Sequence, residues 1–206
     1  MPAPELPQRV GIFGGTFDPP HVGHVAAARA VQASLVLERL LLVVANDPWQ
    51  KSPTRAVTPA EDRFAMTQAL ASDIPGAEAS RMEIDRGGPS YTVVTAEEIL
   101  QQAVSAGRPP PELFLVVGAD LVAELPTWER VADLQRLVTL TVVSRPEAEM
   151  GPAPPGWRVR WVHGPQLHVS SSEVRAVLTG GGPVDLLLTA PVIHCIGRRD
   201  LYAVGR

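Results

Sequence analysis

The sequence predicts an α/β fold in which a mostly parallel sheet carries helices on both faces. Short β-rich runs alternate with longer segments of helical character, and this βαβα order is typical of parallel sheets. The chain has 206 residues, 45% of them hydrophobic, which is enough to bury one sizeable core. Together these observations indicate a doubly wound, Rossmann-like architecture with a small C-terminal helical extension.

The elements are expected in the following order. The strands are predicted at residues 9–14, 40–46, 79–85, 113–118, 137–144 and 157–163. The helices are predicted at residues 22–35, 59–72, 92–105, 119–124, 171–179 and 191–199. The second helix has the clearest start, because Thr58 as N-cap, Pro59 at the first helical position and Glu61 form a capping box with a favoured proline.

We expect residues 1–206 to form a single domain. Residues 9–145 make its core sheet and helices, and residues 157–206 add the last strand and the C-terminal helices. Between them, the prolines and glycines of PEAEMGPAPPG at residues 146–156 predict a linker or flexible loop.

The apolar runs are too short to span a bilayer, and the N-terminal residues have no apolar core of a secretory signal. Cys195, the single cysteine, can form neither an internal disulfide nor a cysteine-based zinc site. These features predict a cytoplasmic protein without a membrane partner.

The charge balance argues against a nucleic-acid partner. The chain has 18 lysines and arginines against 22 aspartates and glutamates, a net charge of −4 and a pI near 5.7. Such a chain offers no bulk attraction to polyanions. Any anionic ligand must therefore be held by local groups.

The most informative segment is GGTFDPPHVGH at residues 14–24, which leads from a buried strand through a turn into a helix. Such a turn puts the helix N-terminus at the carboxyl edge of the sheet, where unpaired amides and the helix dipole attract phosphate. Gly14 and Gly15 would let a ligand approach the backbone closely.

Two histidines follow that turn. His21 and His24 are three residues apart, so their imidazoles share one helix face and can point at one phosphate. Gly23 between them would leave room for the bound group. Neither classical phosphate loop is present and the turn has no nucleophile, which favours direct displacement at phosphorus. The alternative is that these residues merely shape a turn and cap a helix.

Several separated motifs resemble the nucleotidyltransferases that carry an HxGH signature, and most closely the nicotinate-nucleotide adenylyltransferase family. The resemblance runs from Arg9 to Tyr202. Besides residues 14–24, the motifs are PWQK (48–51), DRGGPSYT (85–92), GADL (118–121), LPTW (125–128), SRP (144–146), VSSSEVR (169–175) and DLY (200–202).

The resemblance implies adenylyl transfer from ATP to nicotinate mononucleotide, which yields deamido-NAD and pyrophosphate. It implies that His21 and His24 are catalytic and stabilise charge on the α-phosphate. Mg²⁺ would be bound through the ATP phosphates, so no protein metal site is expected. The residues implied to bind ATP are Gly14, Gly15, Thr16, Phe17, Gly23, Lys51, Gly118, Asp120, Ser171, Ser172 and Arg175.

Three of these assignments have a plain structural alternative. Ser170 and Glu173 fit a capping box that needs no ligand beside Ser171, Ser172 and Arg175. A loop lysine such as Lys51, the only lysine of the chain, is usually just solvated. Asp120 could hold a ribose, orient its loop or cap a helix.

The residues implied to bind the mononucleotide are Asp18, Tyr91, Thr92 and Trp128. Trp128 offers a flat surface for the pyridine ring, and Tyr91 and Thr92 offer a hydroxyl and helix N-terminal amides for its carboxylate. The alternatives are core packing for Trp128 and an N-cap for the SYT segment. Val94 and Cys195 depart from the family pattern, which often has an acidic residue and an aromatic residue there.

Two other functions stay open. A nucleotidyltransferase of the same superfamily could act on another phosphomonoester, such as phosphopantetheine or glycerol phosphate. A non-catalytic nucleotide-binding regulator could keep the pocket, although intact His21, His24 and Arg175 argue against it. The sequence does not decide the oligomeric state, and a homo-oligomer is compatible with it.

Overall fold

The computed structural model describes residues 7–48, 56–144, 152–164 and 167–202. Its six strands form one sheet, and all paired neighbours run parallel. The strands are β1 Arg9–Gly15, β2 Arg39–Val44, β3 Ala77–Ser80, β4 Glu112–Gly118, β5 Val138–Ser144 and β6 Val159–His163. The order β3-β2-β1-β4-β5-β6 makes the boundary between β1 and β4 the switch point of a doubly wound sheet.

Helices cover both faces of this sheet, so the predicted fold class is confirmed. The described α-helices are α1 Val22–Leu35, α2 Ala60–Ala71, α3 Met82–Arg86, α4 Thr92–Ser105, α5 Val131–Leu137, α6 Ser171–Thr179 and α7 Ala190–Arg199. One hydrophobic cluster packs α1, α2, α6 and α7 on the first face. A second cluster packs α4 and α5 on the other.

The strand sequences account for this two-sided burial. In β2, Leu40 and Leu42 point into the first cluster, and Leu41 and Val43 point into the second. Successive side chains of a strand alternate between faces, so an uninterrupted apolar strand needs cover on both. This is why the sheet lies in the middle of the molecule.

The third predicted strand, residues 79–85, is wrong in its second half. The strand ends at Ser80, and α3 begins at Met82. Arg81 and Asp85 are four residues apart and form an ion pair with 2.7 Å between Nε and Oδ1, a spacing that favours helix. The short apolar alternation of this segment hid the helical turn.

The predicted capping box at the start of the second helix is also wrong. Pro59 is the N-cap, α2 begins at Ala60, and no side chain caps it. Thr58 instead offers its carbonyl to Nε of Arg63 at 2.7 Å, and Glu61 pairs with Arg81. Thr58 and Glu61 are thus engaged with Arg63 and Arg81 rather than with each other.

Other differences are smaller. The helix predicted at 119–124 is a 3₁₀ helix over Ala119–Thr127, and α5 was not predicted. Most of the loop predicted at 146–156 lies outside the described residues, and residues 152–156 contain neither helix nor strand. The single domain over residues 1–206 stays a prediction, although β6 joins the common sheet. Within the described parts, no helix is long and apolar enough to cross a bilayer.

Candidate active site

A two-lobed cleft opens at the switch point of the sheet. Its first lobe encloses about 420 Å³ and its second lobe about 170 Å³. Both lobes are lined by the carboxyl end of β1, including Gly14 and Gly15, and by that of β4, including Val117 and Gly118. A ligand lying across these strand ends could therefore occupy both lobes.

The two predicted histidines meet in the first lobe. His21 is the N-cap of α1, His24 lies three residues on, and their ring centroids are 3.8 Å apart. The backbone N–H of His21 donates to Nδ1 of His24 at 3.0 Å. Nδ1 must be unprotonated to accept it, so neutral His24 carries its proton on Nε2.

His21 is almost fully buried, with 7% of its surface exposed. Burial lowers the pKa of His21 to about 4, an effect that the nearby Glu173 carboxylate partly opposes. His21 is therefore neutral at pH 7. Its side chain faces the backbone N–H of His24 in a capping-box arrangement, as the helix-cap alternative expects, but the buried Nδ1 makes no hydrogen bond of good geometry with the described residues.

The turn between β1 and α1 gives its two glycines different roles. A Cβ on Gly14 would meet no atom within 4 Å, so this glycine faces open cleft. A Cβ on Gly15 would lie 3.0 Å from the ring of Phe17. Phe17 itself has φ 51° and is 2% exposed, and its ring lies 5.0 Å from that of His24 between centroids. Thr16 is buried beside it.

The start of α1 is more crowded than the sequence suggests. The N–H of Val22 donates to the Leu187 carbonyl at 3.0 Å, so this amide is not available to a ligand. A Cβ on Gly23 would lie 2.9 Å from Cγ1 of Val169 and 3.0 Å from Nδ1 of His21. The missing side chain of Gly23 thus makes room for its protein neighbours.

Asp18 lies in the first lobe, not in the second. It is 1% exposed, and its Oδ1 accepts the hydroxyl of Tyr202 at 2.7 Å. Its carbonyl accepts Nη1 of Arg175 at 2.6 Å. These contacts give Asp18 a supporting position beneath the turn rather than one beside Trp128.

The N-terminus of α6 also lines the first lobe. Ser170 and Glu173 do form the capping box considered above. Ser171 donates its hydroxyl to the Pro19 carbonyl at 2.9 Å, and Nη2 of Arg175 donates to Oγ of Ser172 at 3.1 Å. The capping alternative is thus correct, yet Ser171, Ser172 and Arg175 still line the lobe.

The end of β4 contributes Gly118 and Asp120. A Cβ on Gly118 would collide with the carboxylate of Asp120, which would then have to move away from the strand end. Gly118, not Asp120, is the N-cap of the 3₁₀ helix. Asp120 is exposed and lines the first lobe. Lys51 lies outside the described residues.

The second lobe brings together Tyr91, Thr92 and Trp128. Tyr91 is the N-cap of α4, and Thr92 is its first residue, so the N–H groups of Thr92 and Val93 have no acceptor within the helix. The N–H of Val94 donates to the Tyr91 carbonyl at 3.1 Å. Trp128 caps the 3₁₀ helix, and its Nε1 is buried without a partner among the described residues. The lobe can hold a flat ring with an anionic substituent.

The departures from the family pattern lie outside the lobe linings. Val94 packs against the second cluster. Cys195 packs against the first, where burial raises the pKa of its thiol. The described residues contain no group of three or more histidine, cysteine or acidic side chains that could hold a metal ion.

Sequence reasoning missed three polar residues near the cleft. Arg63 is buried beneath the turn, Tyr202 holds Asp18, and Glu83 lines the second lobe while accepting the Thr95 hydroxyl at 2.7 Å. The signal for Arg63 was present, since it shares the apolar face of its helix with Met66 and Leu70. The long-range contact between Tyr202 and Asp18 has no local signal.

Comparison of sequences with known proteins identifies a family, and comparison of structures finds proteins with the same fold. The cytidylyltransferase-like family model matches residues 12–177. Proteins named probable nicotinate-nucleotide adenylyltransferase are 40% identical in Corynebacterium kroppenstedtii, over 94% of this chain and 90% of that protein. The one in Streptomyces coelicolor is also 40% identical, over 92% of this chain and 98% of that protein.

Solved structures extend the likeness. The Plasmodium falciparum nicotinic acid mononucleotide adenylyltransferase complexed with NaAD shares 18% identity, with a TM-score of 0.72 over 95% of this chain and 97% of that one. At that identity the likeness concerns the fold. The sequence matches carry the assignment further: this chain belongs to the cytidylyltransferase-like family and, within it, to the nicotinate-nucleotide adenylyltransferases.

Proposed function

We propose that this protein transfers the adenylyl group of ATP to nicotinate mononucleotide and releases pyrophosphate and deamido-NAD. One observation carries the proposal. A lobe that contains two adjacent imidazoles opens, across the ends of β1 and β4, into a lobe with an indole and a helix N-terminus. This pairing matches a triphosphate donor and an aromatic carboxylate acceptor.

We place ATP in the first lobe. Its phosphates would lie against the starts of α1 and α6, where helix dipoles favour anions. Gly14 and Gly15 let the nucleotide lie close to the backbone, and Gly118 and Asp120 border its nucleoside portion. Ser171, Ser172 and Arg175 would face the β- and γ-phosphates, and Lys51 would add a further cation.

The reaction is a direct displacement. An oxygen of the mononucleotide phosphate attacks the α-phosphorus of ATP, the bond to the bridging oxygen breaks, and pyrophosphate leaves with that electron pair. The protein contributes position and charge stabilisation rather than a nucleophile. The Nε2–H of His24 donates a hydrogen bond to the charge that develops on the phosphate, in a geometry fixed by the His21 backbone.

Neutral His21 also contributes to this mechanism. Its low pKa keeps it uncharged at pH 7, so it packs against His24 without repelling it. A phosphate that enters the lobe would favour a hydrogen-bond donor at the exposed edge of the His21 ring. His21 and His24 would thereby bind the phosphate together, as two adjacent imidazoles (the imidazole cradle), rather than as two separate positive charges.

The second lobe is assigned to the nicotinate group. Trp128 would stack on the pyridine ring, and Tyr91 and Thr92 would satisfy its carboxylate with a hydroxyl and first-turn amides. A carboxamide would leave part of this donor set unpaired. Asp18, which the sequence resemblance also assigns to the mononucleotide, would act from the first lobe by holding the turn.

Mg²⁺ is proposed to arrive on the ATP phosphates. Among the described residues that line the first lobe, Asp120 has an exposed carboxylate, whereas that of Asp18 is buried and accepts the Tyr202 hydroxyl. The ion would therefore be held mainly by phosphate oxygens and water, with at most one carboxylate beside them. Bound there, it would neutralise charge on the leaving pyrophosphate. We also propose a cytoplasmic location, in line with the single cysteine and an ATP substrate, and we leave the homo-oligomer as a prediction.

The experiment is a substrate panel. Purified protein is incubated with ATP, Mg²⁺ and nicotinate mononucleotide, nicotinamide mononucleotide, phosphopantetheine or glycerol phosphate in turn, the last also with CTP, and pyrophosphate is measured. We expect release with nicotinate mononucleotide and formation of deamido-NAD. Release only with another phosphomonoester would assign a different acceptor, and nucleotide binding without any release would indicate a regulator.

A further inference from the structure

Arg63 is a buried cation on α2 that does not line either lobe of the cleft. It lies three and seven residues before Met66 and Leu70, so it shares their buried helix face. Only 1% of its surface is exposed. Burying a guanidinium costs free energy unless its N–H groups find acceptors, so its partners define what it does.

The guanidinium binds backbone carbonyls of three separate segments. Nη1 donates to Thr16 at 2.9 Å and to Ala45 at 2.6 Å, Nη2 donates to Asn46 at 3.0 Å, and Nε donates to Thr58 at 2.7 Å. These segments are the turn after β1, the end of β2 and the residues before α2. One planar side chain therefore ties together the carboxyl ends of two neighbouring strands.

The Thr16 contact leads directly to the histidine pair. The Thr16 carbonyl belongs to the peptide that precedes Phe17, whose φ of 51° lies in a region that side-chain-bearing residues rarely adopt. Such a backbone conformation persists only where its surroundings hold it. The ring of Phe17 then packs 5.0 Å from the ring of His24, measured between centroids.

We propose that Arg63 is a positioning residue for the transfer reaction: it fixes the turn after β1 and, through Phe17, the orientation of His24. This inference rests on the proposed function. Arg63 does not touch substrate, and it acts by keeping the Nε2–H of His24 aimed at the phosphate.

A lysine cannot perform this task. The guanidinium spreads its N–H donors over a rigid plane, whereas a lysine concentrates three donors on one nitrogen. That single nitrogen cannot reach the carbonyls of Thr16, Asn46 and Thr58 together. Arg63→Lys therefore keeps the positive charge and removes the clamp.

The experiment compares Arg63→Lys with Leu70→Ala, a core truncation on the same face of α2 at a residue that lines neither lobe. Both variants are expected to melt at lower temperature than the unsubstituted protein. At a temperature where all are folded, we expect Arg63→Lys to lower kcat about 100-fold, as small misplacements of catalytic groups do. Leu70→Ala should keep kcat within about twofold.

A double-mutant cycle with His24→Ala identifies the route. If Arg63 acts through His24, Arg63→Lys should lower the residual kcat of His24→Ala by less than about threefold. Equal losses in both backgrounds, or a kcat of Arg63→Lys as high as that of Leu70→Ala, would overturn the inference. If Arg63→Lys does not fold, Phe17→Leu is measured instead, and an unchanged kcat there would overturn it too. Absence of deamido-NAD synthesis by the unsubstituted protein would instead reject the proposed function.

Discussion

The neutral state of His21 and the orientation of His24 have different physical causes. Burial lowers the pKa of His21, so its imidazole is neutral because of where it lies. His24 is oriented by a hydrogen bond, since its Nδ1 accepts the backbone N–H of His21. One residue thus supplies both the neighbouring ring and the amide that fixes the tautomer of the other.

The low pKa of His21 predicts a pH-dependent stability. Its pKa is about 4 in the folded state and 6.5 as the ordinary value, so the unfolded state binds more protons between these pH values. The free energy of unfolding should therefore fall as pH falls, by up to about 2 kcal/mol between pH 7 and pH 5. Urea titrations at both pH values measure it.

The matched variants are His21→Asn and His194→Gln, the latter at an exposed position on α7. His21→Asn should lose most of the difference between pH 7 and pH 5, and His194→Gln should keep it. An unchanged pH dependence in His21→Asn would show that another group is responsible.

Tyr202 provides a second prediction for a single residue. Its hydroxyl donates to the buried carboxylate of Asp18, and burial together with this donation raises the pKa of Tyr202. Tyr202→Phe removes one donor from that carboxylate and should lower the free energy of unfolding by about 1–3 kcal/mol. In an Asp18→Asn background the same substitution should cost clearly less. If Tyr202→Phe lowers the free energy of unfolding equally in both backgrounds, that loss does not come from the hydrogen bond between Tyr202 and Asp18.

At the scale of the elements, three helix N-termini converge on the cleft. α1 and α6 face the first lobe, and α4 faces the second. The amides at the start of α1 are partly used, because Val22 donates to Leu187. The anion binding proposed for the first lobe would therefore depend on α6 and on side chains more than a simple helix-dipole argument suggests.

The 3₁₀ helix after β4 determines where Trp128 lies. Trp128→Ala should raise KM for nicotinate mononucleotide roughly 10- to 100-fold, because a stacked aromatic surface is lost, while KM for ATP stays within about twofold. Trp161→Ala, in β6 and outside both lobe linings, is the control for loss of an indole. A rise confined to the KM for ATP would place the acceptor elsewhere.

At the scale of the whole molecule, the sequence predicts the layers better than their edges. The strongly apolar β2 and the strand-turn-helix of residues 9–35 have local patterns that agree with their final environment. The local pattern of residues 79–85 does not agree with the final structure, because β3 is a short edge strand with little buried surface. Its alternation was a weak signal, and the chain turns after Ser80 into α3, whose first turn has an exposed ion pair between Arg81 and Asp85.

The distance along the sequence between contacting residues explains which site residues the sequence predicts. Gly14, His21 and His24 form a compact motif whose spacing alone brings them together. Arg63 and Tyr202 act over long sequence distances, through the turn and through Asp18. The place of Arg63 on an apolar helix face was a local signal, but its contacts form only when α2 packs against the ends of β1 and β2. The contact of Tyr202 forms only when the C-terminal segment lies beside the turn after β1.

The central claim is that a paired imidazole cradle stabilises charge at the α-phosphate of ATP. It is tested most directly by the kcat of His24→Ala with ATP, Mg²⁺ and nicotinate mononucleotide, beside His168→Ala at an exposed position. We predict that His24→Ala lowers kcat by about 10²–10³-fold with little change in melting temperature, and that His168→Ala retains full turnover. A folded His24→Ala variant with undiminished kcat would contradict the account.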